Sequence, residues 1–487
     1  MVFSEISFLY FFLPFAVLLH FFAGNITARN WIVLLTGLIF YAWGEPFYVV
    51  VMLFSTAVDY TAGRFMDRFD EDEKKRKLCL IVSVCVNVGL LAVFKYSDFV
   101  IGSINSVTGL DISNPVLAVN RGLNRLFPFG LDEKNVHLPI GISFYTFQSM
   151  SYTIDLYMRK IPVQKSFLKF AAYVSLFPQI VAGPIVRYEQ VERELSERKV
   201  TVVKISSGIG LFVKGLVKKV LLANNVGLIW KDIKALDYGS LSAAGAWLGI
   251  VAFAFQIYFD FSGYSDMAMG LGRMMGFEFP QNFDHPYISR SVSEFWRRWH
   301  ITLGSWFRSY VYIPLGGNRK GKWRTFLNLM IVWGLTGLWH GASWNFLLWG
   351  LYFGVLIVIE RAGAGKVLEK LPAGVSMLWT FVLVLFGWVL FDTDTIGGAW
   401  QYFLAMFGAG GAAIDDLTKY LLPSNALLLA VCILAAAGVG GKSVAELKKQ
   451  RPVFTGIAAI PLKMAGLLVC TAALITGEYN PFLYFRF

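Results

Sequence analysis

His300 and His340 are the residues in this chain whose chemistry stands out. Among 487 residues only five are histidine. His300 sits in SEFWRRWHITLGSWFRSYVYIPLGGNR and His340 in VWGLTGLWHGASWNFLLWGLYFG. The second stretch is apolar enough to lie within a membrane, where an ionisable group is costly and by default marks function or a water-filled cavity. Imidazole is the side chain best suited to moving a proton near neutral pH. The two histidines therefore point to proton-transfer chemistry inside a membrane. Its simplest form is a general base that deprotonates an acceptor hydroxyl, which then attacks an acyl thioester. The inert alternatives are a hydrogen-bonded interfacial His300 and a His340 packed between Trp339 and Gly341. No Gly-x-Ser-x-Gly elbow, Cys–His pair or phosphate-cradling glycine loop is evident, so direct transfer is favoured over a covalent serine or cysteine intermediate.

Polar residues are dense between about 255 and 345 although the chain stays hydrophobic. Gln256, Asp260, Ser262, Tyr264, Asp266 and Arg273 fall in one helical context, with Asp260 and Asp266 expected to be a buried pair satisfied by Arg273. Arg290, Arg297, Arg298 and Arg308 flank His300. Guanidinium groups suit phosphate recognition, and anchoring at the cytoplasmic interface explains them about equally well. Cys79, Cys85, Cys432 and Cys470 lie in apolar segments without metal-ligand spacing, so packing is their expected role and no metal site is expected.

The elements that must position these residues are membrane helices. Hydrophobic residues make up 56% of the chain and charged ones 16%, and the mean hydropathy is +0.56. Apolar stretches of roughly the twenty residues that a bilayer core requires recur at 6–23, 30–43, 46–66, 78–97, 138–157, 167–186, 205–230, 241–261, 325–339, 343–360, 375–391, 424–439 and 455–476. Several are short or polar. The expectation is an all-α polytopic membrane protein with about eleven transmembrane helices plus re-entrant and amphipathic pieces. The N-terminus has no basic leader or cleavage site and reads as a retained first span. The net charge of +12 does not imply nucleic acid, because the basic residues cluster in short loops. The clusters at 67–77, 158–165, 318–324 and 442–451 are predicted to be cytoplasmic. The loop 98–137 and both termini then lie outside.

No internal repeat is evident. The polar stretch 188–204 reads as an amphipathic surface helix or loop, and 363–373 and 408–414 as loops. The expected organisation is one membrane-embedded domain over 1–487, with N-terminal helices at 1–187, a catalytic core at 205–362 and C-terminal helices at 363–487. A transporter or flippase would also have many spans and buried carboxylates, but it commonly carries inverted halves.

Six stretches together carry a resemblance. They are LPIGISFYTFQSMSYTIDLY (138–157), FPQIVAGPIVRY (177–188), FDFSGYSDMAMGLGRMMGF (259–277), NFDHPYISRSVSEFWRRWHITLGSWFRSYVYIPLGGNR (282–319), GLWHGASWNFLLWGLYFG (337–354) and FLYFRF (482–487). The chain resembles, over nearly its whole length, the membrane-bound O-acyltransferase (MBOAT) family, and within it the bacterial alginate O-acetyltransferase branch. That resemblance implies a ring of tilted helices around a thin central region. It implies His340 as the catalytic base and His300 as a second required residue; Arg297 and Arg298 are candidate contacts for the donor on the phosphate-binding chemistry of their guanidinium groups. Acetyl-CoA is implied as a donor substrate, with no bound cofactor. The acetyl group would cross the bacterial cytoplasmic membrane for O-acetylation of an extracellular polysaccharide such as alginate. An extracytoplasmic partner of the SGNH-hydrolase type would complete the transfer. The tail NPFLYFRF is similar to the terminal aromatic motif of this branch, which implies Tyr484 as a transient acyl carrier; otherwise the tail is an aromatic anchor at the outer interface. The runner-up within the family is the D-alanyl transferase of teichoic-acid modification, whose donor is a carrier protein.

Overall fold

The computed structural model describes residues 2–126, 131–477 and 479–483, and they form helices and connecting segments with no strand among them. Among the described residues seven helices are long and apolar enough to cross a membrane, or eight if the pair Asp416–Ser424 and Ala426–Ala436, bent by 61°, is one span. The other expected stretches are shorter or broken. Residues 138–157 give the 16-residue helix Ile142–Tyr157, and 167–186 divides into Phe167–Val174 and Phe177–Ile180 with Pro178 at the break. Broken backbone of this kind survives at membrane depth only where protein surrounds it, and 171–186 is buried throughout. Residues 363–373, expected to be a loop, are largely helical as the end of Glu360–Ala364 and Gly365–Lys370, with a break at Gly363. The stretch 188–204 contains the amphipathic helix Tyr188–Glu197, which buries Tyr188, Val191 and Leu195.

The chain divides into two compact units. The first comprises 10–205 and 272–279. Its helices Val49–Arg68, Glu73–Leu91 and Ile142–Tyr157 are joined by a buried polar network. Asp59 accepts from Ser83 Oγ at 2.6 Å and from Asn87 Nδ2 at 2.8 Å, and Ser83 also bonds Thr153 at 3.0 Å. Helices in lipid gain little from apolar burial against one another, so such bonds help to fix which faces meet. At one end of the unit Arg159 pairs with Asp70 at 2.7 Å and with Glu73 at 3.2 Å. The basic segments 67–77 and 158–165 therefore share one side of the membrane.

The second unit comprises 2–9, 206–271 and 280–487. Its longest element is Ala243–Met274, 32 residues. That length is about 48 Å of helix, more than a bilayer core is thick. The helix Val202–Val217 crosses it at glycines: a Cβ on Gly215 would stand 2.4 Å from the Gly263 carbonyl oxygen. Only glycine permits that approach. In the same unit an aromatic core of Trp230, Phe253, Trp349, Phe353, Trp388 and Tyr402 is almost wholly buried.

Candidate functional site

His340 is the last residue of the helix Lys322–His340, and Gly341 breaks the helix with an extended backbone. The next helix, Trp344–Ile359, starts at Ser343, whose hydroxyl accepts from the Phe346 amide. The two helices form a hairpin with His340 at its turn. They approach closely because Gly337 and Gly350 face each other: a Cβ on Gly337 would stand 2.3 Å from the Phe346 oxygen, and one on Gly350 2.3 Å from the Trp333 oxygen. His340 is 5% exposed. Its ring stands edge-on to Trp339 at 5.0 Å, Trp349 at 4.9 Å and Phe391 at 5.4 Å. A rigid aromatic frame thus fixes the imidazole plane.

His300 is placed by a loop. It has a left-handed backbone, φ 45° and ψ 53°, and precedes the helix Ile301–Phe307. A non-glycine residue in that region is strained and persists where its surroundings over-determine it. Here Asn282 does so. Its backbone oxygen accepts from the Ile301 amide at 3.0 Å, and its side-chain Oδ1 accepts from the Thr302 amide at 3.2 Å and the Thr302 hydroxyl at 2.9 Å. The Thr302 amide can only donate, so this atom of Asn282 is the oxygen. His300 Nδ1, 3.1 Å from the same oxygen, must therefore carry the proton and donate. The neutral ring then presents Nε2 as the basic nitrogen. Phe261 packs edge-on at 4.8 Å, and Trp339 lies 6.0 Å away. Trp339 is thus the shared neighbour of His300 and His340.

Three residues before His300, Arg297 lines a cleft of about 380 Å³ with Arg290, Arg361, Glu294, Glu360 and Glu369. That volume lies within the range of small-ligand sites. The N-terminus of the helix Val292–Arg298 is already occupied, because the Glu360 carboxylate accepts from the Val292 amide at 2.6 Å and the Ser293 amide at 2.8 Å. Any anion in the cleft would rest on the guanidinium groups. Arg297 is exposed and in no ion pair among the described residues. Arg298 does not line the cleft: it pairs with Glu294 at 2.8 Å and reaches the Asp284 carbonyl. Consecutive helical positions point about 100° apart, which separates the two arginines.

The expected Asp260–Asp266–Arg273 group does not form. Asp260 pairs with Lys219 at 2.7 Å, Asp266 with Lys218 at 2.8 Å and Lys214 at 3.2 Å, and Arg273 with Glu278 at 3.0 Å. Seven residues separate Asp266 from Arg273, about 10 Å along a helix, too far for a contact. The glycine crossing brings lysines from 214–219 instead. Nothing in the Asp–Arg spacing showed these partners in advance. Of the terminal motif, Tyr484 lies outside the described residues, whereas 479–483 are described and Phe482 and Leu483 are buried.

Comparison with known proteins bears on what this arrangement does. The model of the membrane-bound O-acyltransferase family matches residues 43–364. The chain is 35% identical to a protein of Azotobacter vinelandii named "Probable alginate O-acetylase", across the whole of both chains. It is 38% identical to the protein of that name in Pseudomonas aeruginosa, over 90% of this chain and 82% of the other. A "Peptidoglycan O-acetyltransferase" of Helicobacter pylori is 31% identical over 86% of this chain and 82% of its own.

Proposed function

The chain belongs to the membrane-bound O-acyltransferase family, and on that premise we propose that this multi-pass membrane O-acyltransferase moves an acetyl group from cytoplasmic acetyl-CoA across the bilayer for O-acetylation of an extracellular polysaccharide such as alginate. His340 is the general base. It takes the phenolic proton of Tyr484 as that oxygen attacks the acetyl carbonyl. The C–S bond breaks, and the imidazolium returns the proton to the departing thiolate. The phenyl ester is a competent acyl donor because its leaving group has a pKa of about 10. The serine of an SGNH-hydrolase-type partner takes the acetyl group from it, the tyrosine regains its proton, and the partner passes the group to a polymer hydroxyl. Arg297 and its cleft receive the donor's phosphates. Arg298 supports this through its ion pair with Glu294 on the same helix.

The observation that carries this proposal is the placing of His340 at the turn of a sealed helix hairpin, sharing Trp339 with a second histidine held in one tautomer. Full-length likeness to O-acetylases favours acetyl over D-alanyl transfer. The decisive experiment supplies purified protein with acetyl-CoA and follows thioester loss, with polymer acetylation measured in cells. Wild-type protein is expected to consume the thioester and His340→Ala to fail in both assays. Near wild-type polymer acetylation by the variant would remove His340 from the mechanism.

A further inference from the structure

The most buried of the long helices also carries a tightly enclosed ion pair. Asp260 and Lys219 are each 2% exposed and stand 2.7 Å apart. Such a pair is an expensive way to join two helices, since desolvation can outweigh the Coulomb attraction, and its best-attested use is to fix register. What this pair grips is the chain's own terminal segment. Asp260 Oδ2 accepts from the Leu483 amide at 3.0 Å, and Lys219 Nζ donates to the Pro481 carbonyl. The neighbouring contacts continue the pattern. Gln256 bonds the Tyr479 hydroxyl at 3.0 Å, Asn224 bonds Asn480 at 3.1 Å, and Phe482 packs on Tyr264 with ring centres 4.9 Å apart. Gln256, Asp260 and Tyr264 are spaced by four, so they form one stripe along the helix. Phe261, next to Asp260, is the residue whose ring meets His300.

We propose that the Lys219–Asp260 pair is a positioning clamp for the acyl carrier. By holding the backbone at 481 and 483, it anchors the segment that leads to Tyr484; this rests on the carrier role assigned to Tyr484 above. Apolar packing alone would tolerate sliding of the segment. Two charge-assisted bonds hold the backbone against the helix, and the side-chain contacts of Tyr479, Asn480 and Phe482 select which residues lie there.

The test uses the full-length protein in membranes. The double variant Lys219→Met/Asp260→Leu removes both charges at similar volume, so that neither is left buried alone; Asp260→Asn is the conservative companion. An independent probe inserts one glycine between Leu483 and Tyr484, which leaves the clamp intact and moves Tyr484 one position along the chain. Isotopically labelled acetyl-CoA is supplied and label on the C-terminal peptide is read by mass spectrometry, with carboxypeptidase digestion reporting whether the tail is held. Wild-type protein is expected to carry label and to resist digestion through 479–483. Both clamp variants are expected to lose at least tenfold in label and to be digested through those residues, and the insertion to lose label while keeping its resistance. No label on the wild-type tail would overturn the carrier role, and delivery with it. Label on the wild type that persists undiminished in the folded double variant, or after the insertion, would overturn the clamp alone.

Discussion

At the scale of single residues, the protonation of His300 is set by Asn282, and this separates two kinds of loss. His340→Ala removes a positioned base, which typically costs about 10²–10⁴-fold, so kcat should fall by roughly 10³-fold; size-exclusion behaviour of the purified variant checks that it is folded. Asn282→Ala keeps both imidazoles but frees the ring and its tautomer. It should lower kcat by up to about 100-fold, the scale of a misplaced catalytic group, with little change in KM for acetyl-CoA. A parallel rise in KM would instead tie Asn282 to donor binding. The histidines were legible in the sequence because they are scarce and sit in apolar or aromatic surroundings. Asn282 was not, since an asparagine in a loop has no signature until the Thr302 amide and the His300 ring converge on its oxygen. The division between Arg297 and Arg298 was hidden for a related reason: it depends on the phase of one short helix.

At the scale of elements, the hairpin that carries His340 depends on two glycines at its crossing. Gly337→Ala should destabilise the purified protein by about 1–3 kcal/mol, the usual range for overpacking, because its Cβ would meet the Phe346 carbonyl at 2.3 Å. Gly334→Ala, one turn earlier, has its nearest neighbour at 3.9 Å and should be neutral or slightly stabilising, since alanine favours a helix. Equal melting temperatures for the two variants would refute the crossing. Outside the spans, His137 donates to the buried Glu45 carboxylate at 2.9 Å, and this bond raises the His137 pKa above 6.5. The raised value means that the stabilisation is complete below about pH 6.5 and is lost as pH rises through the folded-state value. His137 is half-exposed, so the effect should stay below about 1 kcal/mol. A thermal melt series from pH 6 to 9 checks it, and His137→Gln should flatten that dependence. The helices themselves were readable from apolar length. Their partners were not, because Asp260 and Asp266 find lysines through a glycine crossing that no local pattern encodes.

At the scale of the whole molecule, orientation decides whether donor and acceptor are met on opposite faces. The Asp70–Arg159 and Glu73–Arg159 pairs join two basic segments on one side, and an excess of lysine and arginine predicts that side to be cytoplasmic. The segment 442–451 is basic as well, and one apolar helix, Phe454–Thr476, follows it. By the same rule the tail is predicted to emerge outside and the arginine-lined cleft beside His300 to open inside. Single cysteines test this in a chain whose Cys79, Cys85, Cys432 and Cys470 are replaced by alanine. An impermeant maleimide on intact cells should label Glu133→Cys at once, and Lys74→Cys and Glu446→Cys only after permeabilisation; all three positions are exposed. Labelling of Glu446→Cys in intact cells would put the tail in the cytoplasm, on the same side as acetyl-CoA. A tail carrier could not then hand its acetyl group to an extracytoplasmic partner. The topology experiment thus tests directional transfer independently of any catalytic variant.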